Sequence, residues 1–403
     1  MGGPLAGLKV LDLSRVLAGP WATQLLADYG ADVVKIERPG HGDDTREWGP
    51  PWLQDGDNRA TSESAYFLCA NRNKHSITVD LTRPAGQRLV HELAAQSDVL
   101  VENFRVGTLA RYDLDAATLR ERYPALIYCS ISAYGQAGSA LTRKRLRRND
   151  PGGRRVDEPD RRTEGAPQKT GVAVADLMAG MYAVSAILAA LHARERSGTG
   201  QTIDVPLFDT QVAWLANQAM NYLVSGEVPV RHGNGHPNIV PYQAFATADG
   251  HLMLAVGNDS QFRACVDCLG ITGLAADPRF ATNRARVANR DALIPLLATP
   301  LAQKGTDAWL QAFEARGIPA GPINDLARVF ADPQVAARGL LVTQAHSLGI
   351  RSPAVANPVV FSDTPAELRQ APPLLGEHTA SILSERLGYS EKQIAELRRD
   401  GAI

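Results

Sequence analysis

Residues 1–135 alternate β-branched runs with segments of helical period, and this alternation constrains the fold more than any other feature. Apolar residues in the intervening segments recur at three- and four-residue spacing, which is the period of a helix. The predicted strands are Lys9–Leu13, Asp32–Glu37, Asp98–Glu102 and Leu126–Ile131, and the predicted helices are Trp21–Tyr29, Ala85–Gln96 and Ala116–Tyr123. Strands that alternate with helices form a parallel sheet covered by helices. We therefore expect an α/β fold with a large Rossmann-like domain.

The later segments indicate a second, smaller domain. With 403 residues the chain exceeds the roughly 100 to 200 residues of an ordinary domain. Residues 226–321 open with HGNGHPNIVPYQAF, continue into a predicted hairpin at Phe245–Val256 and then turn helical, which predicts a small α+β domain. Residues 1–225 form the predicted large domain. Residues 322–403, with a final helix that ends near Arg399, are expected to return to it.

Charge and cysteine content exclude several classes of protein. The chain has 42 basic and 43 acidic residues, so neither nucleic acid nor an anionic membrane is indicated as a partner. Four cysteines favour a reducing compartment, and the lone pair Cys265 and Cys268 is interpreted as buried thiols of a helix and not as a metal site. No signal peptide is recognisable, and the apolar stretch Leu177–Leu191 is shorter than the ~20 residues of a membrane span. We expect a cytoplasmic protein in which this stretch is a buried helix.

Candidate ligand-binding residues follow the predicted strands, because parallel sheets bind ligands beyond the carboxyl ends of their strands. Together they offer guanidinium groups, an amide and an aromatic ring, which would suit a ligand with phosphates, an amide-rich arm and a purine. Each residue alone is as readily explained as a solvated surface residue. These residues are Arg38, Asn103, Phe104 and Arg111. The chain has neither G-x-G-x-x-G after the first strand nor a P-loop, which argues against an ordinary NAD enzyme or a P-loop NTPase.

Asp176 stands where the GVAVA run gives way to the apolar helix. One role is an N-cap, which would stabilise the helix by about 0.5 to 2 kcal/mol. The other is a nucleophile, because the positive end of a helix keeps a carboxylate ionised. The two roles are compatible.

Segments along nearly the whole chain resemble the class III CoA-transferases, the CaiB/BaiF family. They include LAGLKVLDLSRVLAGPWATQLLADYGADVVKIERPG, SAYFLCANRNKHSITVDL, DVLVENF, YGQAG, GVAVADLMAG, RSGTGQTIDVPLFD, GIPAGPIND and PPLLGEHT. DDTREWGPP and HGNGHPNIVPYQAF look closest to the succinyl-CoA:glutarate (hydroxymethylglutarate) CoA-transferases. The resemblance implies an EC 2.8.3 enzyme of acyl-CoA metabolism that takes an acyl-CoA and a small carboxylic acid. It also implies an interlocked homodimer with no permanently bound cofactor or metal.

The resemblance also assigns roles to residues. Asp176 would attack the thioester to form an aspartyl-acyl anhydride and then an aspartyl-CoA thioester. The CoA site would be lined by Leu17, Ala18, Arg38, Val79, Asp80, Asn103, Phe104 and Arg111. A loop of the small domain with Gly235, His236 and Asn238 would close over the substrate. The far carboxylate of a dicarboxylic acid would need a cation or donor, for which the candidates are Arg46, His232 and His236.

The segment 139–163 departs from the family pattern, because it carries eight arginines and almost no apolar residue. Its composition predicts a solvated or disordered basic loop. Arg145, Leu146 and Arg147 occupy the positions of the GYD motif that lines the CoA pocket in the family. Retained length with altered chemistry suggests two compensating frameshifts. Resequencing the coding DNA tests this hypothesis, and a single intact frame with no plausible shift contradicts it.

Two alternative functions follow from these features. The altered segment makes a catalytically impaired CoA-binding protein one alternative. The other is an α-methylacyl-CoA racemase of the same fold, which uses a His with an Asp. None of the nine histidines lies between residues 92 and 191, where racemases keep that His, so the sequence favours the transferase.

Overall fold

The computed structural model describes residues 2–138 and 170–403, and their contacts group into two units. Unit 1 comprises residues 2–138, 170–214 and 333–403, and unit 2 comprises residues 215–332. The sequence-based boundaries were 225/226 and 321/322. The helix Ala216–Ser225 falls in unit 2, where Asn221 Nδ2 donates to Asn238 Oδ1 at 3.0 Å. The basic segment 139–163 lies outside the described residues.

Unit 1 contains ten of the described strands. They are β1 (Lys9–Asp12), β2 (Asp32–Glu37), β3 (Trp52–Gln54), β4 (Ala60–Ser64), β5 (Lys74–Thr78), β6 (Val99–Glu102), β7 (Ile127–Ser132), β8 (Thr202–Pro206), β12 (Leu341–Ala345) and β13 (Arg351–Val355). Its helices are α1 (Ala18–Asp28), α2 (Ala65–Leu68), α3 (Pro84–Ala95), α4 (Ala116–Arg122), α5 (Val174–Ser197), α6 (Leu207–Trp214), α13 (Pro333–Ala337), α14 (Thr379–Leu387) and α15 (Glu391–Arg399). Six strands form a parallel sheet in the order β5-β2-β1-β6-β7-β8.

Successive residues of each central strand point to opposite, buried faces of this sheet. Val10 packs with α1 and α5 in one core cluster, whereas its neighbour Leu11 packs with α3 and α14 in the other. Val33 and Val34 divide in the same way. Helices therefore cover both faces, as a parallel sheet requires. The predicted α/β class is confirmed.

The four predicted strands and three predicted helices are confirmed; β2 has the predicted ends, and the ends of the others shift. The largest shift is at α1, predicted from Trp21 and found from Ala18. Pro20 stands in its first turn, where a missing N–H costs no hydrogen bond, so the Ala-Gly-Pro run belongs to the helix. Strand β5 was not predicted, because Lys74, His75 and Ser76 break the apolar pattern.

Helix α5 corrects the prediction of a fully buried helix. It has 24 residues, and only Ala179, Ala183, Ile187 and others on one face are buried. On the opposite face Met181 and Tyr182 are 42% and 43% exposed. Length and composition alone would let this helix cross a membrane, and 33% of its most apolar window is buried in the protein. Its buried face packs against α1 and the sheet.

Unit 2 has its own core. Its elements are α7 (Ala216–Ser225), β9 (Tyr242–Ala246), β10 (His251–Ala255), α8 (Asp259–Cys268), α9 (Asn283–Ala288), α10 (Arg290–Leu301), α11 (Thr306–Glu314), β11 (Ala320–Pro322) and α12 (Leu326–Ala331). The predicted hairpin is confirmed, since β9 and β10 pair antiparallel. Cys265 lies buried in α8, as expected, whereas Cys268 is only partly buried. Burial raises the pKa of the Cys265 thiol to about 12.

The C-terminal part of unit 1 covers the outer edge of β5. The N–H groups of His378 and Asp80 donate to the carbonyl oxygens of Ser76 and Ala402, both at 2.9 Å. The rings of His75 and His378 meet edge-on, with centroids 4.7 Å apart. Burial and the facing His378 ring lower the pKa of His75 to about 4, while Asp32 opposes this shift and Arg386 and Arg369 add to it.

This lowered pKa predicts a loss of stability in acid. Between about pH 6.5 and about pH 4 the unfolded chain binds a proton at His75 that the folded chain does not, so the free energy of unfolding falls as pH falls. Urea unfolding at about pH 7.5 and about pH 5 measures the difference. His75→Gln should reduce the difference, whereas His41→Gln, at an exposed histidine, should not. Equal pH dependence in both variants would contradict the prediction.

Candidate active site

Four neighbouring strands bring most of the predicted ligand-binding residues to one edge of the sheet. β5, β2, β1 and β6 lie side by side with their carboxyl ends at that edge. The residues that follow them are Val79 and Asp80 after β5, Arg38 after β2, Leu17 and Ala18 after β1, and Asn103 and Phe104 after β6. Arg111 lies further on, exposed, in a 3₁₀ turn.

The turn between β1 and α1 is buried but leaves backbone donors open. Leu17 and Ala18 are only 6% and 3% exposed. No side chain caps α1, and within the described chain the N–H groups of Leu17, Ala18 and Gly19 make no hydrogen bond. The first N–H groups of a helix attract anions and carbonyl oxygens through both hydrogen bonding and the helix dipole. This turn can therefore bind an oxygen that carries negative charge.

Asn103 contacts the β1–α1 turn. Its Oδ1 accepts from the N–H of Arg15 at 2.8 Å, and its Nδ2 donates to the carbonyl oxygen of Arg15 at 2.6 Å. This amide therefore holds the turn in place, and its expected contact with a ligand stays a prediction. The Arg15 guanidinium lies 5.0 Å from the centre of the Phe104 ring. Arg15 is therefore an additional cation at this edge, which sequence reasoning did not single out.

The remaining edge residues divide between core and surface. Val79 is 2% exposed and packs with the sheet core, so only its backbone can line a site. Asp80 accepts from the N–H and hydroxyl of Thr82 at 2.8 and 2.7 Å. Although burial opposes it, these bonds lower the pKa of Asp80, with a further contribution from Arg38. Arg83 Nε, 3.8 Å from Asp80 Oδ2, contributes more to this shift than Arg38, and the Arg38 side chain is exposed.

Charged side chains fill the interior beneath the turn. Lys35 Nζ contacts Asp43 at 3.0 Å, and Lys74 Nζ contacts Asp12 at 3.1 Å, with all four side chains fully buried. Burial opposes ionisation, but Lys35 and the hydrogen bonds from Thr45 lower the pKa of Asp43 to about 2. In the sequence, Asp12 and Lys35 are charged residues within two otherwise apolar strands. Buried charges need partners of opposite charge, so these two residues indicate that ion pairs lie in the interior.

Arg46 was expected to meet a substrate carboxylate, and its surroundings correct that expectation. The side chain is 8% exposed and pairs with Glu37 at 2.8 Å and Glu63 at 3.3 Å. It also lies 3.6 Å from the centre of the Phe67 ring and donates to the carbonyl oxygen of Pro373 at 3.1 Å. Its guanidinium stabilises the interior of unit 1 and does not face a ligand.

Asp176 lies in the first turn of α5 and is not its N-cap. The cap residue is Ala173, so Asp176 is the third helical residue and is half-buried. One turn later on the same face, Gly180 lies against the backbone of Ala18, and a Cβ there would approach the Ala18 carbonyl oxygen to 2.8 Å. Asp176 is consequently one turn nearer to the sheet edge, at the level of the β1–α1 turn.

Tyr66 is a further residue near Asp176, which sequence reasoning did not single out. Burial raises the pKa of its phenol, and the nearby Asp176 carboxylate raises it further. The Tyr66 ring meets Trp48 edge-on with centroids 5.1 Å apart. In the sequence, Trp48 and Tyr66 are visible as aromatic residues of the segments EWGPP and SAYFL. No spacing pattern connects either residue to Asp176.

The three predicted substrate residues of the small domain lie together in one loop of unit 2. His236 stacks on Tyr242 with centroids 5.4 Å apart, and its Nδ1 accepts from the N–H of Asn238 at 3.1 Å. Arg290 donates to the carbonyl oxygen of His236 at 2.7 Å, and its guanidinium lies 3.1 Å from where a Cβ of Gly235 would be. Burial and the Arg290 charge lower the pKa values of His232 and His236.

Comparison with known proteins agrees with this architecture. Residues 5–379 match the family model described as CoA-transferase family III. The chain is 48% identical to a succinate–glutarate CoA-transferase of Agrobacterium fabrum, over 95% of each chain. It is 41% identical to the succinyl-CoA:glutarate CoA-transferase of Homo sapiens, over 99% of this chain and 90% of that one. A crystal structure of a CaiB/BaiF family protein from Brucella suis superposes with a TM-score of 0.80 at 46% identity, covering 96% of this chain and 100% of that chain.

The close approach of α1 and α5 predicts the effect of a single methyl group. In Gly180→Ala the new Cβ would meet the Ala18 carbonyl oxygen at 2.8 Å, so the helices must separate. We expect the free energy of unfolding, measured in urea, to fall by about 1 to 3 kcal/mol. Gly56→Ala, whose Cβ would enter open space in the described chain, should change it by less than about 0.5 kcal/mol. Equal losses would contradict this packing.

Proposed function

The chain belongs to CoA-transferase family III and is a CoA-transferase, and from this premise we propose that Asp176 carries CoA from succinyl-CoA to a small dicarboxylic acid. The predicted family resemblance is confirmed. The donor, the acceptor and the residue roles are the proposal. Its main support is the position of Asp176, which lies at the level of a turn with open backbone N–H groups.

The reaction passes through the carboxylate twice. An Asp176 oxygen attacks the thioester carbonyl, and CoA leaves as the thiolate while a mixed anhydride forms. The thiolate attacks the Asp176 carbonyl of that anhydride, which releases the donor acid and leaves an aspartyl-CoA thioester. The acceptor carboxylate attacks this thioester to form a second anhydride, and the thiolate then attacks the acceptor carbonyl. The product is a new acyl-CoA, and Asp176 is a carboxylate again.

Neighbouring groups support the charge changes of this route. The open N–H groups of Leu17 and Ala18 would stabilise an oxygen that becomes negative in each addition step. The Tyr66 phenol, whose pKa is raised by burial and by Asp176, would be available as a hydrogen-bond donor. Arg38 and Arg111, both exposed, would contact phosphate groups of CoA, with Asp80, Val79 and Phe104 along the same edge.

A dicarboxylic acceptor is supported by the substrates in the names of two relatives, a succinate–glutarate and a succinyl-CoA:glutarate CoA-transferase. With Arg46 paired in the interior, the remaining candidates for the far carboxylate are His232 and His236, in the same loop of unit 2 as Gly235 and Asn238. Both histidines have lowered pKa values, so they would act mainly as neutral donors. The racemase and the inactive CoA-binding protein are not favoured, because the close relatives are transferases.

We also propose a homodimer in the cytoplasm. The exposed apolar face of α5, with Met181, Tyr182 and Leu188, supports burial against a second copy. The four cysteines are free thiols, which suits a reducing compartment.

Replacing the nucleophile tests the route. Asp176→Ala should lower the rate of CoA exchange by at least about 10³-fold without loss of the fold, because the covalent intermediates cannot form. The matched control is Asp209→Ala, which removes the acidic residue at the equivalent third position of α6. Borohydride, which reduces an aspartyl thioester to homoserine, should mark residue 176 in the wild type after succinyl-CoA is added. Retained exchange in Asp176→Ala would refute the mechanism.

The acceptor is tested by a panel of acids with succinyl-CoA as donor. We expect glutarate to give glutaryl-CoA, and dicarboxylic acids to react with lower KM than monocarboxylic acids of equal length, because only they offer a second carboxylate. Mass spectrometry of the CoA products measures this. Exchange with monocarboxylic acids alone would contradict the dicarboxylate proposal, and CoA binding without any exchange would favour the inactive alternative.

A further inference from the structure

Val16 has a backbone conformation that its side chain disfavours. Its φ is +70°, in the left-handed region, where a β-branched residue is an outlier. Such a conformation persists only where surrounding contacts impose it. Val16 directly precedes Leu17 and Ala18, so its conformation sets the direction of their N–H groups.

The N–H of Val16 is bound by the buried side chain of Asp43. The N–H of Val16 donates to both carboxylate oxygens of Asp43, at 3.2 Å each. The flanking residues of the turn are held as well. Lys35 Nζ donates to the carbonyl oxygen of Ser14 at 2.8 Å, and Asn103 binds both backbone groups of Arg15. Three consecutive residues are thus fixed by three side chains.

Asp43 is itself held by several buried contacts. Its Oδ1 accepts from the N–H and the hydroxyl of Thr45 at 3.0 and 2.8 Å, and its Oδ2 accepts from Lys35 at 3.0 Å. Its own N–H donates to Glu37 at 2.9 Å, and its side chain is fully buried. A carboxylate held in this way is a rigid reference point for the turn.

We infer that Asp43 is a positioning residue of the transfer reaction, which holds Val16 in the left-handed conformation and so aims the Leu17 and Ala18 N–H groups at the reacting carbonyl. The inference rests on the proposed placement of the acyl-CoA at this turn. A purely structural role is the competing explanation, since Asp43 also caps the 3₁₀ turn Asp44–Glu47 and neutralises Lys35. The two roles predict different effects of a substitution at Val16 on the activity of an Asp43 variant.

Four variants separate these roles. Asp43→Asn should lower kcat for succinyl-CoA and glutarate by about 10²-fold, with KM for succinyl-CoA within about threefold. Adding Val16→Gly to it should restore kcat by about tenfold or more, because glycine adopts positive φ without a steric penalty. Val16→Pro, which fixes φ near −65° and removes the N–H, should lower kcat as Asp43→Asn does while leaving Asp43 and Lys35 in place. Asp57→Asn, at a carboxylate that is 72% exposed, is the matched control.

The outcomes discriminate clearly. A higher kcat in the double variant than in Asp43→Asn supports the inference. Val16→Gly could not compensate for a lost cap or for an unpaired Lys35. A double variant no more active than Asp43→Asn overturns it, as does a Val16→Pro enzyme within about threefold of the wild-type kcat. If Asp43→Asn does not fold, as judged by circular dichroism, Val16→Pro alone decides. Failure of the proposed function is distinguishable from failure of this inference. An active Asp176→Ala enzyme would overturn the proposed nucleophile, whereas the effect of the Asp43 and Val16 variants on the rate of CoA exchange can be measured in either case.

Discussion

The carboxyl edge of the sheet depends on two buried lysines paired with carboxylates. Lys35 pairs with Asp43 and Lys74 pairs with Asp12, and each lysine also donates to a carbonyl oxygen of the β1–α1 region. Removing one partner of such a pair leaves a buried charge and typically costs about 3 to 5 kcal/mol. Burial acts on both lysines, yet it lowers the pKa of Lys74 to about 8, whereas three nearby carboxylates keep that of Lys35 raised. Lys74 has fewer acidic neighbours than Lys35, and the charge of Lys35 lowers the pKa of Lys74 further.

Several departures from local rules occur at this edge. A β-branched residue has positive φ at Val16, helix α1 begins without a side-chain cap, and the charges of Asp12 and Lys35 occupy buried strands. Other helices of unit 1 differ in their caps: α15 begins with a capping box at Ser390, whereas α3, α5 and α14 have no side-chain cap. Local exceptions that cluster in one place are typical of a functional site. The sequence predicted ligand-binding residues at the carboxyl ends of the strands. It did not predict the positive φ of Val16 or the missing cap of α1.

The sequence predicted what depends on local period. The alternation of strands and helices, the apolar helix after Asp176 and the hairpin of unit 2 all follow from spacing over a few residues. Long-range pairing has no such signature. Asn103 binds Arg15, 88 positions away, and Arg46 binds Pro373, 327 positions away, so a pattern within one segment could not show that both side chains are occupied. Tyr66 was missed for the same reason, because only the fold brings it near Asp176.

The C-terminal cover of β5 couples the site to the order in which the chain is made. Asp80 donates to Ala402, and Thr78 donates to Thr379, so the outermost strand of the ligand-binding edge is completed by residues synthesised some 300 positions later. Until those residues are synthesised, the outer edge of β5 has unpaired backbone groups, which can pair with other strands. This edge of the sheet is therefore completed late, because the N–H groups of Thr78 and Asp80 are paired only once residues 379 and 402 are available.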